Sequence, residues 1–204
     1  MRIGRILGSA LIASALAMTA ETAHAENFLK LLFQGNGTFQ PAGPGVSSLP
    51  SQYQRQRVRF PTNEKAGTIV IDANNKFLYL VEGNGTAMRY GVGVGREGFG
   101  WHGTVKIGRK AEWPTWTPPP EMRARERKKG RILPVSMEGG PQNPLGARAM
   151  YLYDGGRDTM YRIHGTSEPW TIGHNVSSGC IRMVNADVSD LYERAPIGTK
   201  VIVR

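Results

Sequence analysis

The chain has 204 residues, one cysteine, and 26 lysines and arginines against 16 aspartates and glutamates, for a formal charge of +10. That length suits one domain with a tail, a lone thiol rules out a disulfide-stapled scaffold, and no apolar run beyond the first 25 residues could span a bilayer. The positive balance attracts polyanions without naming one.

In chain order, Arg2 and Arg5 form a small basic start. Ile6 to Ala20 is apolar apart from small residues such as Gly8, Ser9 and Ser14, and Ala23-His24-Ala25 gives a cleavage pattern before Glu26. This layout predicts a secretory signal peptide over 1–25. A membrane anchor is the weaker alternative, because the apolar core falls short of the roughly 20 residues a span needs. The mature protein is expected outside the cytoplasm, in the periplasm or cell envelope, with no transmembrane segment left after signal removal. Nucleic acid is then not an expected partner, and wall carboxylates or lipid and lipopolysaccharide phosphates are.

Residues 26–60 read as a flexible lead-in rich in proline and glycine, with little apolar surface to offset chain entropy; residues 61–204 read as the folded domain. From Gly67 onward short β-like runs succeed one another: Thr68 to Asp72, Phe77 to Val81, Met88 to Val94, Thr104 to Lys110, Ala149 to Tyr153, Met160 to His164 and Thr199 to Val203. Only Asp187 to Arg194 reads clearly as a helix, with Asn185 as its cap. The expected fold is mostly β, sandwich- or barrel-like, with one short helix and a long inserted loop from Trp113 to Leu145. A loop of that length is functional or disordered. Trp113 and Trp116 among prolines suit either a rigid groove wall or a hydrophobic lid over the core. The basic run Arg123 to Arg131 is either a solvated face or a hold on an anionic polymer.

Cys180 is the most informative residue. Exported proteins usually pair their thiols, so an unpaired one is a liability, an intermolecular link or a nucleophile. A nucleophilic thiol needs a base to take its proton, and three histidines come after the signal peptide: His102, His164 and His174. His164 closes a strand whose alternation sets Tyr161 and Ile163 on one face and Met160, Arg162 and His164 on the other. His174 sits in a loop and is expected to line the site. The small residues Ser177, Ser178 and Gly179 before the thiol would let backbone N–H groups approach a carbonyl oxygen. Arg182, on the Cys180 side of its strand, would either grip a substrate carboxylate or make an ordinary ion pair. The spacing of His164, His174 and Cys180 matches no common zinc pattern, so no metal or other cofactor is expected.

Ile163-His164-Gly165-Thr166, then Ile172-Gly173, then Ser177-x-Gly179-Cys180-Ile181-Arg182-Met183-x-Asn185 resembles the signature of the L,D-transpeptidase catalytic domain (YkuD-type) family. Trp116-Thr117-Pro118-Pro119, the run from Asn143 to Ala149 and the closing Gly198-Thr199-x-Val201 extend the resemblance over about Gly67 to Arg204. It implies Cys180 as nucleophile, His164 as base, the Gly165 carbonyl orienting the imidazole, backbone donors around Ser178 and Gly179 for the oxyanion, and Arg182, His174 and Trp116 near the substrate. It also implies a monomeric peptidoglycan L,D-transpeptidase. Such an enzyme transfers a tetrapeptide stem from D-alanine to an amine, either of another stem (a 3→3 cross-link) or of an envelope protein, and is acylated by carbapenems. A carboxypeptidase or endopeptidase of the same fold is the alternative. Ser178 departs from the family pattern, where a histidine is common, and so does Trp101-His102-Gly103, where a Pro-x-Gly turn is common.

Overall fold

The computed structural model describes residues 49–96 and 101–204; the expected signal peptide and most of the expected lead-in lie outside them. Eleven strands form among the described residues: β1 (Gln56–Arg59), β2 (Ile69–Asp72), β3 (Phe77–Gly83), β4 (Thr86–Gly91), β5 (Val94–Gly95), β6 (Gly103–Glu112), β7 (Arg148–Asp154), β8 (Arg157–His164), β9 (Asn175–Ser177), β10 (Ile181–Arg182) and β11 (Lys200–Val203). The described residues also form two α-helices, α1 (Pro120–Lys128) and α2 (Asn185–Arg194). Nine strands make one sheet in the order β1-β4-β3-β2-β11-β6-β7-β8-β10, while β5 and β9 pair separately. The sheet is open and sandwich-like. Its far ends approach each other where Gly93, just after β4, exchanges backbone hydrogen bonds of 2.9 and 2.8 Å with Arg182 of β10.

Alternation fills the interior. Ile69, Ile71, Leu78, Leu80, Ile107, Met150, Leu152, Ile163, Ile181, Val201 and Val203 face one core with Val188 and Leu191 of α2. Three pairings are parallel, and each needs a crossover instead of a hairpin: β2–β11, β5–β9 and β8–β10.

Three expectations are corrected. The lead-in is ordered from Ser51, because Tyr53 seats on two glycines: a Cβ on Gly91 would lie 2.5 Å from the Tyr53 Cβ, and one on Gly173 2.4 Å from its ring. Arg55 (2.8 Å to Asp190) and Arg57 (2.6 Å to Glu82) pin the segment after it, and β1 extends the sheet along β4. The domain's ordered structure therefore starts before residue 61. The described residues hold two α-helices, not one: the basic run is α1, started by Pro120 at its first position and ended by Arg125, Arg127 and Lys128 against the carbonyl end of the helix dipole. Lastly, α2 starts at Asn185, and its flanking residue is Val184; the Asn185 side chain is used elsewhere.

The insert is held together by its own hydrogen bonds. Trp116 and Met137 exchange two backbone bonds of 2.8 Å. The buried Asn143 amide donates to the carbonyls of Pro114, Met137 and Glu138 at 3.0, 3.1 and 2.9 Å. Ile132 and Val135, which a lid would bury, are exposed.

Candidate active site

Register assembles the site. In the parallel β8–β10 pair, Ile163 faces Ile181 and His164 faces Arg182. The isoleucines belong to the core, so His164, Arg162 and Arg182 point to the opposite, outer face, and alternation puts Cys180 there too. The crossover from His164 to Cys180 takes sixteen residues. It returns the chain to the same end of the sheet and sets the thiol level with Arg162. Two rows of side chains thus cross the outer face: Ala111–Ala149–His164–Arg182, and Arg109–Tyr151–Arg162 with Cys180 beside it.

The imidazole is fixed. His164 is buried, and its Nδ1 lies 2.6 Å from the Gly165 carbonyl oxygen. A carbonyl only accepts, so Nδ1 carries the proton and Nε2 is left as the basic nitrogen. Gly165 is itself clamped: the Asn185 Oδ1 accepts from Ala147 N at 3.0 Å and Thr166 N at 3.2 Å. A Cβ on Gly165 or on Gly146 would stand 2.2 Å from that oxygen, so both positions require glycine.

The cysteine loop is built the same way. Gly179 has φ 107, a conformation that favours glycine. Ser177 Oγ donates to the Cys180 carbonyl at 2.6 Å and accepts from Gly179 N at 3.1 Å. The expected Gly179 oxyanion donor is therefore engaged in shaping the loop. The half-buried thiol lies 4.0 Å from the carbonyl of Met160, a residue turned into the left-handed region (φ 64) with its N–H on the Asp158 carboxylate.

Burial dominates the electrostatics. It pushes His164 down to about 4, helped by the Arg182 and Arg162 guanidiniums and opposed by the Gly165 carbonyl. Burial pushes the Cys180 thiol above its ordinary range, against the opposing pull of an Arg162 backbone hydrogen bond and of the Arg162 and Arg182 charges. Burial thus disfavours the charged form of each group.

Of the other expected residues, Arg182 makes an ion pair of 2.8 Å with Glu168, while its Nε is buried without a hydrogen-bond partner. Ser178 receives Arg125 of α1 at 3.4 Å, so the insert reaches the cysteine loop. His174 is exposed, and its carbonyl accepts from Val94. Trp116 is half-buried in the insert's own pairing, and among the described residues no hydrogen bond ties it to Cys180 or His164. Asn185, Asp158 and Met160 acquire their places only through strand register and loop closure; the motif position of Asn185 was the one available signal. Among the described residues no group of three or more His, Cys, Asp or Glu could hold a metal, and no helix is long and apolar enough to cross a membrane.

Residues 66–203 match the model of the L,D-transpeptidase catalytic domain, YkuD. The chain belongs to the L,D-transpeptidase catalytic domain family. Among its relatives is the Escherichia coli K12 protein named Probable L,D-transpeptidase YbiS, 36% identical over 171 residues, which are 82% of this chain and 52% of that protein. The Probable L,D-transpeptidase ErfK/SrfK of the same strain is 34% identical over 206 residues, 95% of this chain and 64% of that one. The chain thus spans about half to two thirds of the length of these relatives. A crystal structure from Brucella melitensis, of a protein called a probable carnitine operon oxidoreductase caia, is 51% identical and covers 77% of this chain and 97% of its own, with a TM-score of 0.51. The Ldtfm–avibactam carbamoyl enzyme, 17% identical, shares the fold with a TM-score of 0.52 over 69% of this chain and 49% of that chain.

Proposed function

We propose that this protein is an exported peptidoglycan L,D-transpeptidase with Cys180 as nucleophile and His164 as general base. One observation supports the reading: His164 lies in register with Arg182, two residues beyond Cys180, and its Nδ1 is spent on Gly165, which leaves Nε2 to accept a proton. The periplasm or cell envelope is the place of action, since the sequence opens with the features of a signal peptide.

In the first half-reaction Nε2 takes the Cys180 proton as sulfur attacks the carbonyl of the bond between the third stem residue and the terminal D-alanine. The Cys180 backbone N–H supports the oxyanion. His164 returns the proton to the departing D-alanine amine, and a thioester remains. In the second, an acceptor amine attacks that thioester and loses its proton to His164. The amide forms and Cys180 leaves as thiolate to recover the proton. The acceptor amine belongs to another stem or to an envelope protein. Burial suits both halves, because it keeps water from competing for the thioester.

Purified tetrapeptide incubated with enzyme, with and without an acceptor amine, tests the reading by product mass. D-alanine release with a joined product supports it. Trimming alone, even with acceptor present, supports a carboxypeptidase instead, and no release ends both.

A further inference from the structure

The row beside the thiol holds a feature that the acyl-transfer chemistry leaves unused. Tyr151 of β7 is bracketed by two guanidiniums, with Arg109 of β6 centred 3.4 Å and Arg162 of β8 centred 4.4 Å from its ring. The register pairs Tyr151 with both, so the sheet itself sets the stack. The two arginines differ in what else they hold. Arg162 grips Asp158 with two hydrogen bonds, 2.7 and 2.9 Å, and donates to the Tyr161 carbonyl at 2.9 Å; it is nearly buried, and its charge is matched. Arg109 is exposed and makes no ion pair among the described residues. Arg182, farther along the outer face, is likewise matched, by Glu168.

We propose that Arg109, braced on Tyr151, is a carboxylate-binding subsite that anchors the peptide substrate away from the reacting bond. The inference rests on the transpeptidase reading of Cys180. Stacking spends a face of the guanidinium and leaves its N–H edge for a planar anion, so the bidentate fork is preorganised. Its position suits the task. Arg109 stands two strand spacings of ~4.8 Å from Arg162, whose backbone meets the sulfur. A carboxylate two to three residue lengths of ~3.4 Å from the reacting carbonyl spans that gap. Asp158 is hydrogen-bonded by Arg162 and feels the Arg109 charge only at a distance, so the N–H edge of Arg109 is left for another carboxylate. The carboxylate comes from the donor stem or from the acceptor stem, and the two half-reactions tell these apart.

The test compares wild type with Arg109→Gln and Arg109→Lys on a tetrapeptide with free carboxylates and on the same peptide with its carboxylates amidated. Thioester formation is tracked by intact mass, and aminolysis by product appearance. Arg109→Gln should lower kcat/KM for the free-carboxylate peptide by about 10- to 100-fold, mostly through KM, and far less for the amidated peptide. Arg109→Lys should recover only part of that loss. A donor anchor shows the loss in thioester formation; an acceptor anchor shows it in aminolysis alone. Equal losses on free and amidated peptides, or no loss on either, would overturn the subsite while leaving the transpeptidase reading intact. A wild-type protein that forms no thioester would remove both.

Discussion

The two faces of β8 and β10 do opposite work. On the inner face Ile163 and Ile181 lie in a core of aliphatic side chains, and their position is secured by burial alone. On the outer face, one residue along, His164, Arg162, Cys180 and Arg182 are also buried or half-buried, yet each is held by a directed polar contact: Gly165, Asp158, the Ser177-shaped loop and Glu168. Shape holds the first face; hydrogen bonds hold the second. Polar groups can thus be buried or half-buried without being part of the apolar core, and their geometry can be altered by single substitutions that leave the core alone.

Cys180→Ser should have the largest effect. Thioester formation should fall below detection by intact mass while thermal unfolding stays near wild type, since the hydroxyl fits where the thiol was; a retained adduct would move the nucleophile elsewhere. His164→Ala should lower acylation by about 10²- to 10⁴-fold, measured in single turnover. Asn185→Ala strikes both function and stability, because it strips the acceptor from two backbone N–H groups. Each orphaned donor costs about 1–3 kcal/mol, read from urea unfolding, and the loosened Gly165 should reduce acylation as well. Unchanged unfolding in this variant would mean that the clamp contributes nothing.

The smallest effects lie in pH dependence, where two buried groups oppose each other. His164 is pushed from 6.5 down to about 4, so the unfolded chain binds the extra proton and stability falls as pH drops from about 6.5 to 4. Asp187, pushed by burial from 3.8 up to about 6 despite Arg55, binds its proton more tightly when folded. Its penalty is present above pH 6 and fades as pH falls towards 3.8. The two groups act in opposite directions between about pH 6 and 4, so wild-type stability should change less there than either group alone would make it. Asp187→Asn should raise stability at pH 7 by about 1–3 kcal/mol and expose the acid limb of His164. A flat curve in that variant would contradict the assignment.

How much of this was legible depends on which force sets each feature. The seven strands that pack a face against the core could be read from their alternation. Strands β5, β9 and β10 carry only two or three residues, too few for a period to show, and β1 buries none of its four. Helix α1 buries no residue, so it has no apolar stripe and reads as a charged loop after three prolines. The order of the lead-in comes from Tyr53 docking on Gly91 and Gly173, two positions far away in the chain. Cys180 and His164 stood out because a lone thiol behind an expected signal peptide reads as a nucleophile, which demands a base. The roles of Asn185 and Arg109 stayed hidden, since each depends on which strand lies beside which.

The central claim is that Cys180 and His164 wait as a neutral, desolvated pair. Titration of the His164 imidazole by NMR in the free enzyme tests it most directly. The ring should stay neutral, with its proton on Nδ1, down to a midpoint near pH 4; a midpoint at or above 6.5, as an imidazolium paired with a thiolate would give, would contradict it.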